Sequence, residues 1–529
     1  TFVESVHEKG VFWAGTDDGL VHLSRDGGKH WESITPPELP AWSYVGCIEV
    51  SPHDPASAYV SATRYKLDDY RPYLYKTSDY GLNWYNINGD FPQGEITRVV
   101  RADPVQAGLL FVGTETGVFV SFNEGQNWQV LRNNLPVTPV YDLKIKGHDL
   151  VVGTHGRSLW ILDDLTPLRQ LSAEADQLGT QLFPPRPTFR CLLNWSLNLF
   201  RNVGGKRKNY MLGLGASAGY YQEKTSDGET VCQYLDAGEN PPQGVIVYYL
   251  LAEVPAEPIQ LTFLDASGKQ IKSFTNKVEL QDQGEEEEGK AKQDCYVRAQ
   301  SGLNRFVWDM RYPNAEKVDT NKKDGPPLLN TQEKIENGPL APPGNYQVSL
   351  TVGRQTYKES FEILKDPRII ATGEDFQKQF KLWTRIRDKL SETNKTINHL
   401  RRLRRQLDEW SQRSKELGDA ATETSQQVSD KAKDLQGKLK LIENELIRVE
   451  EKSSADRLRY PVRLNAKLAG LVSVVGIADA APPKQAYEVF DHLSAQVDIQ
   501  VKRLQELCDG EISIFNELVR QIGWPAIKG

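Results

Sequence analysis

Cysteine is scarce. Cys47, Cys191, Cys232, Cys295 and Cys508 are the only five in 529 residues, too far apart for a CxxC metal site or a dense disulfide framework. A single bridge between Cys191 and Cys232, the nearest pair, stays open. The eight histidines form no HxxxH pair, so spacing offers zinc no ligand set and no cofactor is expected. No run of about 18 apolar residues occurs, which argues against a helical membrane span. Positive charge is not in excess either: 64 basic side chains face 71 acidic ones, a net −7 that gives no general attraction to nucleic acid. No leader is visible, but the chain opens at Thr1 rather than Met and reads as processed or truncated. What remains is a globular composition, 39% hydrophobic and 26% charged, long enough for about three or four domains.

Internal repetition is the strongest positive signal. Three segments share the pattern hydroxyl, x, Asp/Asn, x, Gly, x, x, Trp: Ser24-x-Asp26-x-Gly28-x-x-Trp31, Thr77-x-Asp79-x-Gly81-x-x-Trp84 and Ser121-x-Asn123-x-Gly125-x-x-Trp128. Each follows an apolar run that ends in a small residue and Thr, at Thr16, Thr63 and Thr114. A fourth run ends at Thr154 and continues to Trp160 without the Asp motif. The tryptophans stand 53 and 44 residues apart, room for about four short strands per repeat, as propeller blades require. In each motif the Asp or Asn suits a tight turn, the Gly supplies a positive φ, and the Trp buries a large ring.

Beyond residue 181 the texture changes. Pro184, Pro185 and Pro187 mark an extended linker. β-like runs at 245–251, 259–264, 305–308, 346–352 and 357–364, punctuated by turn clusters, suggest an immunoglobulin-like or fibronectin-type sandwich. Residues 285–288, four glutamates between glycines, read as a solvated loop insertion. The tail is helical: Phe376, Phe380, Trp383, Ile386 and Leu390 begin a stripe at three- and four-residue spacing that runs to Trp410. Further stripes start at Val428, Leu464 and Phe490, and a long antiparallel hairpin with supporting helices is the natural packing. The expected fold class is mainly β with an α-helical tail. Its parts are blades at 1–165, a linker and extended segment at 166–240, a sandwich at 241–366 and a helical bundle at 367–529.

The three motifs are Asp-boxes, and the chain resembles Asp-box (BNR-repeat) propellers: sialidases, xyloglucan-degrading hydrolases and the sortilin ectodomain family. The segments 62–76, 153–157, 303–309 and 340–344 extend that resemblance to the C-terminal part of large bacterial sortilin-like proteins, often labelled glycosyl hydrolases on repeat similarity alone. The resemblance implies that Asp26, Gly28, Trp31, Asp79, Gly81, Trp84, Asn123, Gly125 and Trp128 are structural and lie away from the ligand. It also implies an extracytoplasmic location. Relatives have more blades, so the rest of the propeller is expected from an N-terminal segment or another chain.

Two motifs imitate active sites. Gly215-x-Ser217-x-Gly219 matches a nucleophile elbow, but the segment after it is too short and turn-rich for the required helix, and the downstream His399 and His492 lie in the tail. Arg401, Arg402, Arg404 and Arg405 form a basic cluster at helical spacing, best read as a solvated or ion-paired face.

The remaining candidate is the ligand face. Turns after each small-residue–Thr run share the end opposite the Asp-boxes and bring Asp17, Asp18, Glu115, His155 and Arg157 there. The second repeat carries about six extra residues in this turn, rich in Arg, Tyr and Asp. Arg64, Tyr65, Asp68, Asp69, Tyr70, Arg71 and Tyr73 are therefore the expected ligand-binding centre, with Asp18, Glu115 and Arg157 as neighbours. Packing against a neighbouring blade or the sandwich is the alternative role for that loop. The function expected is non-catalytic binding of a protein, peptide or glycan, or assembly, with self-association through the tail left open. A glycoside hydrolase with two carboxylates on the propeller face is the alternative.

Overall fold

The computed structural model describes residues 1–171, 179–191, 207–211, 217–224, 230–234, 242–276, 297–319, 338–416, 423–448 and 459–522. Cys295, the glutamates 285–288 and the side chain of Cys232 lie outside the described residues. The chain divides into two compact units. The first holds Thr1–Phe183, Tyr248–Val254 and Gln300–Asn304, and the second holds the rest.

Short strands of alternating or fully apolar residues build the first unit as four successive antiparallel meanders. The first sheet is β1 (Phe2–Glu4), β2 (Phe12–Gly15), β3 (Val21–Ser24) and β4 (Glu32–Ser33). The second is β5 (Tyr44–Val50), β6 (Ala58–Arg64), β7 (Asp69–Thr77) and β8 (Tyr85–Asn86). The third is β9 (Thr97–Ala102), β10 (Leu110–Thr114), β11 (Val118–Ser121) and β12 (Gln129–Leu131). The fourth has three strands, β13 (Val140–Lys146), β14 (Asp149–Thr154) and β15 (Leu159–Leu162). The opening strands β1, β5, β9 and β13 touch in that order. Two apolar clusters fill the interfaces: Trp13, Val21 and Leu23 with Val45, Val60 and Tyr75, and Tyr59 and Leu74 with Phe111, Val140 and Leu143.

The three motif turns share one hydrogen-bond pattern. The hydroxyls of Ser24, Thr77 and Ser121 donate to Asp26, Asp79 and Asn123 at 3.0, 2.9 and 3.1 Å. The same hydroxyls accept from the N–H of Gly28, Gly81 and Gly125 at 2.9, 2.9 and 2.8 Å. Those glycines hold φ of +87°, +87° and +86°, a conformation that costs any other L-residue about 1–2 kcal/mol. Register corrects the repeat alignment by one residue in the second sheet. Ser24, Thr77 and Ser121 pair with Phe12, Ala58 and Leu110, so Ser61, not Ala62, stands where Gly15 and Gly113 stand.

In the second unit, β17 (Thr188–Arg190) runs parallel to β26 (Gln355–Lys365) at the edge of a five-stranded sheet. That sheet continues through β25 (Gly344–Val352), β22 (Gln260–Asp265) and β23 (Gln270–Thr275), while β16 (Gln181–Leu182), β21 (Val245–Leu251) and β24 (Gly302–Trp308) pair with one another. Aromatic packing supplies its core: Phe263 stacks on Trp308 at 4.5 Å, with Phe274, Phe306, Tyr346 and Phe361 around them. The segment read as an extended linker contributes an edge strand here and a separate meander of β18 (Arg207–Met211), β19 (Ser217–Lys224) and β20 (Thr230–Tyr234). Ser217 opens a strand paired on both sides, and no strand-to-helix elbow forms there.

Among the described residues five α-helices complete this unit: α2 (Gly373–Glu416), α3 (Glu423–Leu446), α4 (Leu464–Val475), α5 (Lys484–Leu507) and α6 (Ser513–Ile522), α1 being the short Thr166–Gln170 of the first unit. A reciprocal box starts α2, since Thr372 N–H donates to Asp375 at 2.8 Å and Asp375 N–H returns to the Thr372 hydroxyl at 3.2 Å. Arg190 ties sheet to helices, donating to Gln379 and Asp479 at 2.6 Å each while its guanidinium covers the Phe376 ring. The basic cluster is partly inside: Arg401 is buried on a fully buried Glu443 at 2.9 Å, and Arg404 binds the same carboxylate. Cys47, Cys191 and Cys508 are free thiols, so no bridge engages Cys191. Among the described residues no helix is long and apolar enough to cross a membrane.

Candidate functional site

Each of the first three meanders turns from its second to its third strand at the end opposite its motif turn, and the fourth turns at the corresponding end. In the second meander that turn, residues 64–69, forms one 3₁₀ turn at Tyr65–Leu67 and closes through Asp68 at φ +57°. Asp69 is its hub. It accepts from Arg64 at 3.1 Å, from Arg71 through two bonds at 2.9 and 2.8 Å, and from the Tyr73 hydroxyl at 2.6 Å. The Arg71 guanidinium, and then the Tyr73 hydroxyl, hold the Asp69 carboxyl well below the usual carboxylate range. The same packing removes Tyr73 from the expected ligand surface: it is buried in the core and its N–H binds Thr97. Tyr70 and Arg71 stay exposed, with Tyr70 donating to Asp68 at 3.3 Å.

Side chains that sequence reasoning missed stand beside this loop. The opening strands of the second, third and fourth sheets each carry a bulge at the same end, at Gly46, Arg98 and Tyr141. A bulge leaves its residue unpaired and re-aims its side chain. Arg98 thereby lies between two rings, 4.9 Å from the centroid of Tyr65 and 4.3 Å from that of Tyr141, while it binds the Glu115 carboxylate. Tyr141 in turn stacks on His155 at 4.9 Å and 18°. The result is one row, Tyr65–Arg98–Tyr141–His155, contributed by three successive sheets. Tyr141 is 48% exposed and His155 is exposed as well. Gly46 makes room for the row, because a Cβ there would stand 2.9 Å from the Arg98 carbonyl.

The other expected residues serve their own turns. Thr16 donates to Asp18, whose carbonyl accepts the Trp42 N–H at 2.8 Å. Trp42 is thereby held at φ +62° with its ring 71% exposed, a conformation uncommon for a bulky residue. Arg157 closes the turn after β14: its N–H binds the Thr154 hydroxyl at 3.2 Å and its carbonyl accepts Trp160 Nε1 at 2.8 Å. Nothing in the sequence marks the three bulges. The exposed Trp42 could have been found as a Trp beside Pro40 in a between-repeat loop.

Chemically, this end offers ring faces and guanidinium groups beside carboxylates, of which Asp17 and Asp68 are exposed. Asp69 is neutralised by two arginines and Glu115 by a third. Among the described residues no group of three or more His, Cys, Asp or Glu is placed to hold a metal ion.

No family model matches the chain, and no curated protein does. Solved structures give partial likenesses. YCF48 bound to D1 peptide is 16% identical at a TM-score of 0.24, over 45% of this chain and 72% of that one. A GH74 xyloglucanase from Xanthomonas campestris is 13% identical at 0.25, over 47% of this chain and 41% of its own. PorZ, a surface component of the type-IX secretion system of Porphyromonas gingivalis, is 12% identical at 0.23, over 67% of this chain and 43% of its own. This chain therefore spans less than half the length of the last two. At these scores none of the three carries an argument, and the functional reading rests on the geometry of the site.

Proposed function

We propose that the four successive meanders are blades of an Asp-box propeller and that the chain is a non-catalytic ligand-binding or assembly protein of the sortilin-like type. The observation that carries this reading is the row Tyr65–Arg98–Tyr141–His155 at the end opposite the Asp-box turns. Exposed ring faces suit sugars and aromatic or proline side chains, and a stacked guanidinium suits a carboxylate or carbonyl. Protein, peptide and glycan ligands all fit that chemistry. Asp69 does not suit the acid of a glycosidase, which must stay protonated near neutrality, because Arg71 holds its carboxyl well below the usual range.

In this reading residues 241–366 are an immunoglobulin-like sandwich, and 367–529 are a hairpin-based bundle that serves contact, including with a second copy. The location is extracytoplasmic. Titration of the full chain with oligosaccharide and peptide panels, with reducing-end release followed in parallel, tests the function. Tyr141→Ala and His155→Ala should cost tenfold or more in affinity, about 1.4 kcal/mol, with thermal melts unchanged. Release of reducing ends would replace this reading with the hydrolase.

A further inference from the structure

The outer face of the first sheet is built like an interface and is uncovered. In the second and third sheets the motif turn engages the sheet before it in the same way. Trp84 Nε1 donates to the carbonyl of Ile34 at 2.6 Å, and Trp128 Nε1 donates to that of Ile87 at 2.9 Å. The space above the motif glycine is filled by the same isoleucine: a Cβ on Gly81 would stand 2.7 Å from Ile34, and one on Gly125 would stand 2.8 Å from Ile87. Ile34 and Ile87 both lie three residues past the Trp of their own sheet. The docking unit is therefore Trp-x-x-Ile presented to the next motif.

The first motif has the same parts but, among the described residues, engages no other sheet in this way. Trp31 Nε1 turns back to its own Gly28 carbonyl at 3.1 Å, and the ring is 41% exposed where Trp128 is 6% exposed. The three atoms nearest to a Cβ on Gly28 belong to its own sheet's Phe12 and Trp31 and stand 3.8–3.9 Å away. Register extends the comparison. Phe2, Ile48 and Val100 pair with Ala14, Val60 and Val112, which sit at equivalent places in their sheets. Ile48 and Val100 are buried against the preceding sheet, whereas Phe2 is 62% exposed, with its ring 5.2 Å from that of Phe12 and 6.4 Å from that of Trp31.

We propose that this face docks one more sheet of the same repeat, one that precedes the first in sequence as each covering sheet here precedes the sheet it covers. Its fourth strand would end Trp-x-x-Ile or Trp-x-x-Leu. The aliphatic side chain would cover Gly28 and its carbonyl would receive Trp31 Nε1. The inference needs only the repeat geometry and stands apart from the ligand reading.

Hydroxyl-radical footprinting read by mass spectrometry follows each tryptophan separately. In the full chain Trp31 should oxidise several-fold faster than Trp128; protection of Trp31 through dimerisation would make a second copy the occupant and overturn the proposal. The probe is the full chain extended by a copy of its own residues 1–46 placed directly before Thr1, which keeps the 46-residue spacing between the equivalent Phe2 and Ile48. Trp31 should then fall to the rate of Trp128, and Ile34→Asp in the added copy should restore it. A Trp31 that reacts as before in the extended chain overturns the proposal. The unextended chain supplies an independent check: I34E should bring Trp84 to the rate of Trp31 while Trp128 stays protected. An unchanged Trp84 would refute the docking unit itself.

Discussion

Arg101 donates to the carboxylate of Glu49 across 2.9 Å and so joins the opening strands of two adjoining sheets. The same guanidinium reaches Asp142 on the next opening strand at 2.9 Å and the Leu143 carbonyl at 2.6 Å. One side chain thus spans three sheets. Burial pushes the Glu49 carboxyl up, and the Arg101 charge pulls against that shift. A raised acid binds its proton in the folded state first, so its contribution to stability falls as pH rises above the unfolded value.

Replacing Arg101 with Met removes the compensating charge. The expected loss is about 2 kcal/mol at pH 7, below the range for fully buried pairs because both side chains keep some solvent contact. The loss should shrink toward pH 5 as Glu49 takes up its proton. Urea denaturation at the two values measures it, and equal losses would sink the charge account.

Asp69 has the opposite sign. Its carboxyl is held below the ordinary 3.8, chiefly by Arg71, so its contribution is present above that value and is lost as pH falls through the folded one. Asp69→Asn should cost about 1 kcal/mol at pH 7, a figure kept small because Arg71 is well solvated. The variant should also show a flatter acid limb between neutrality and pH 2. An unchanged melting profile would mean that the loop is held by its backbone alone.

Parts of this architecture were legible in the sequence for plain physical reasons. Strand runs ending in Gly15, Gly113 and Gly153 stood out because close sheet packing wants small residues there. The three motif turns stood out because hydroxyl, acid, glycine and tryptophan each meet one requirement of the same turn. The candidate site was legible only as far as the loop carrying Arg64 and Asp69. Arg98 and Tyr141 were hidden because a bulge is a property of pairing, which the residues of a single strand do not mark. Tyr73 misled because an aromatic in an apparently exposed loop carries no mark of the strand that buries it. Arg401 is ion-paired, one of the two readings of its cluster, but its burial was hidden, since its acidic partner Glu443 sits 42 residues away on another helix.

The motif glycines separate conformation from contact. Gly28 and Gly81 share φ +87°, so Ala strains both by about 1–2 kcal/mol. Only Gly81 also places a Cβ against Ile34. Gly81→Ala should therefore cost about 1–3 kcal/mol more than Gly28→Ala, the range for overpacking. Equal costs in parallel urea series would show that Ile34 yields freely.

Glu443 is fully buried with Arg401 at 2.9 Å and Arg404 beside it. Glu443→Gln leaves two guanidinium groups facing a neutral amide, and the expected cost is about 3 kcal/mol or more. A Glu443→Leu, Arg401→Met double variant should recover most of it, because an apolar pair of similar volume needs no charge compensation. Helical ellipticity followed through denaturation reads both variants. A double variant as unstable as the single one would mean that lost packing, not lost charge pairing, accounts for most of the cost.

Trp42 poses stability against function at a single residue. Its φ of +62° costs a bulky side chain about 1–2 kcal/mol, and its ring, 71% exposed, recovers little of that through burial. Strain of this kind persists where the surroundings impose it, and it concentrates at binding sites. Here the Asp18 carbonyl fixes the backbone by accepting the Trp42 N–H, on the same end of the sheets as the Tyr65–Arg98–Tyr141–His155 row. Trp42→Gly should raise stability by about 1 kcal/mol, since glycine accepts a left-handed φ without penalty. If the ring is a stacking surface for ligand, the same variant should lose tenfold or more in affinity for whichever oligosaccharide or peptide the full chain binds, about 1.4 kcal/mol. Thermal melts and titrations on one preparation measure both. A variant that melts lower than the parent would show that the exposed ring is held by packing and would remove Trp42 from the site.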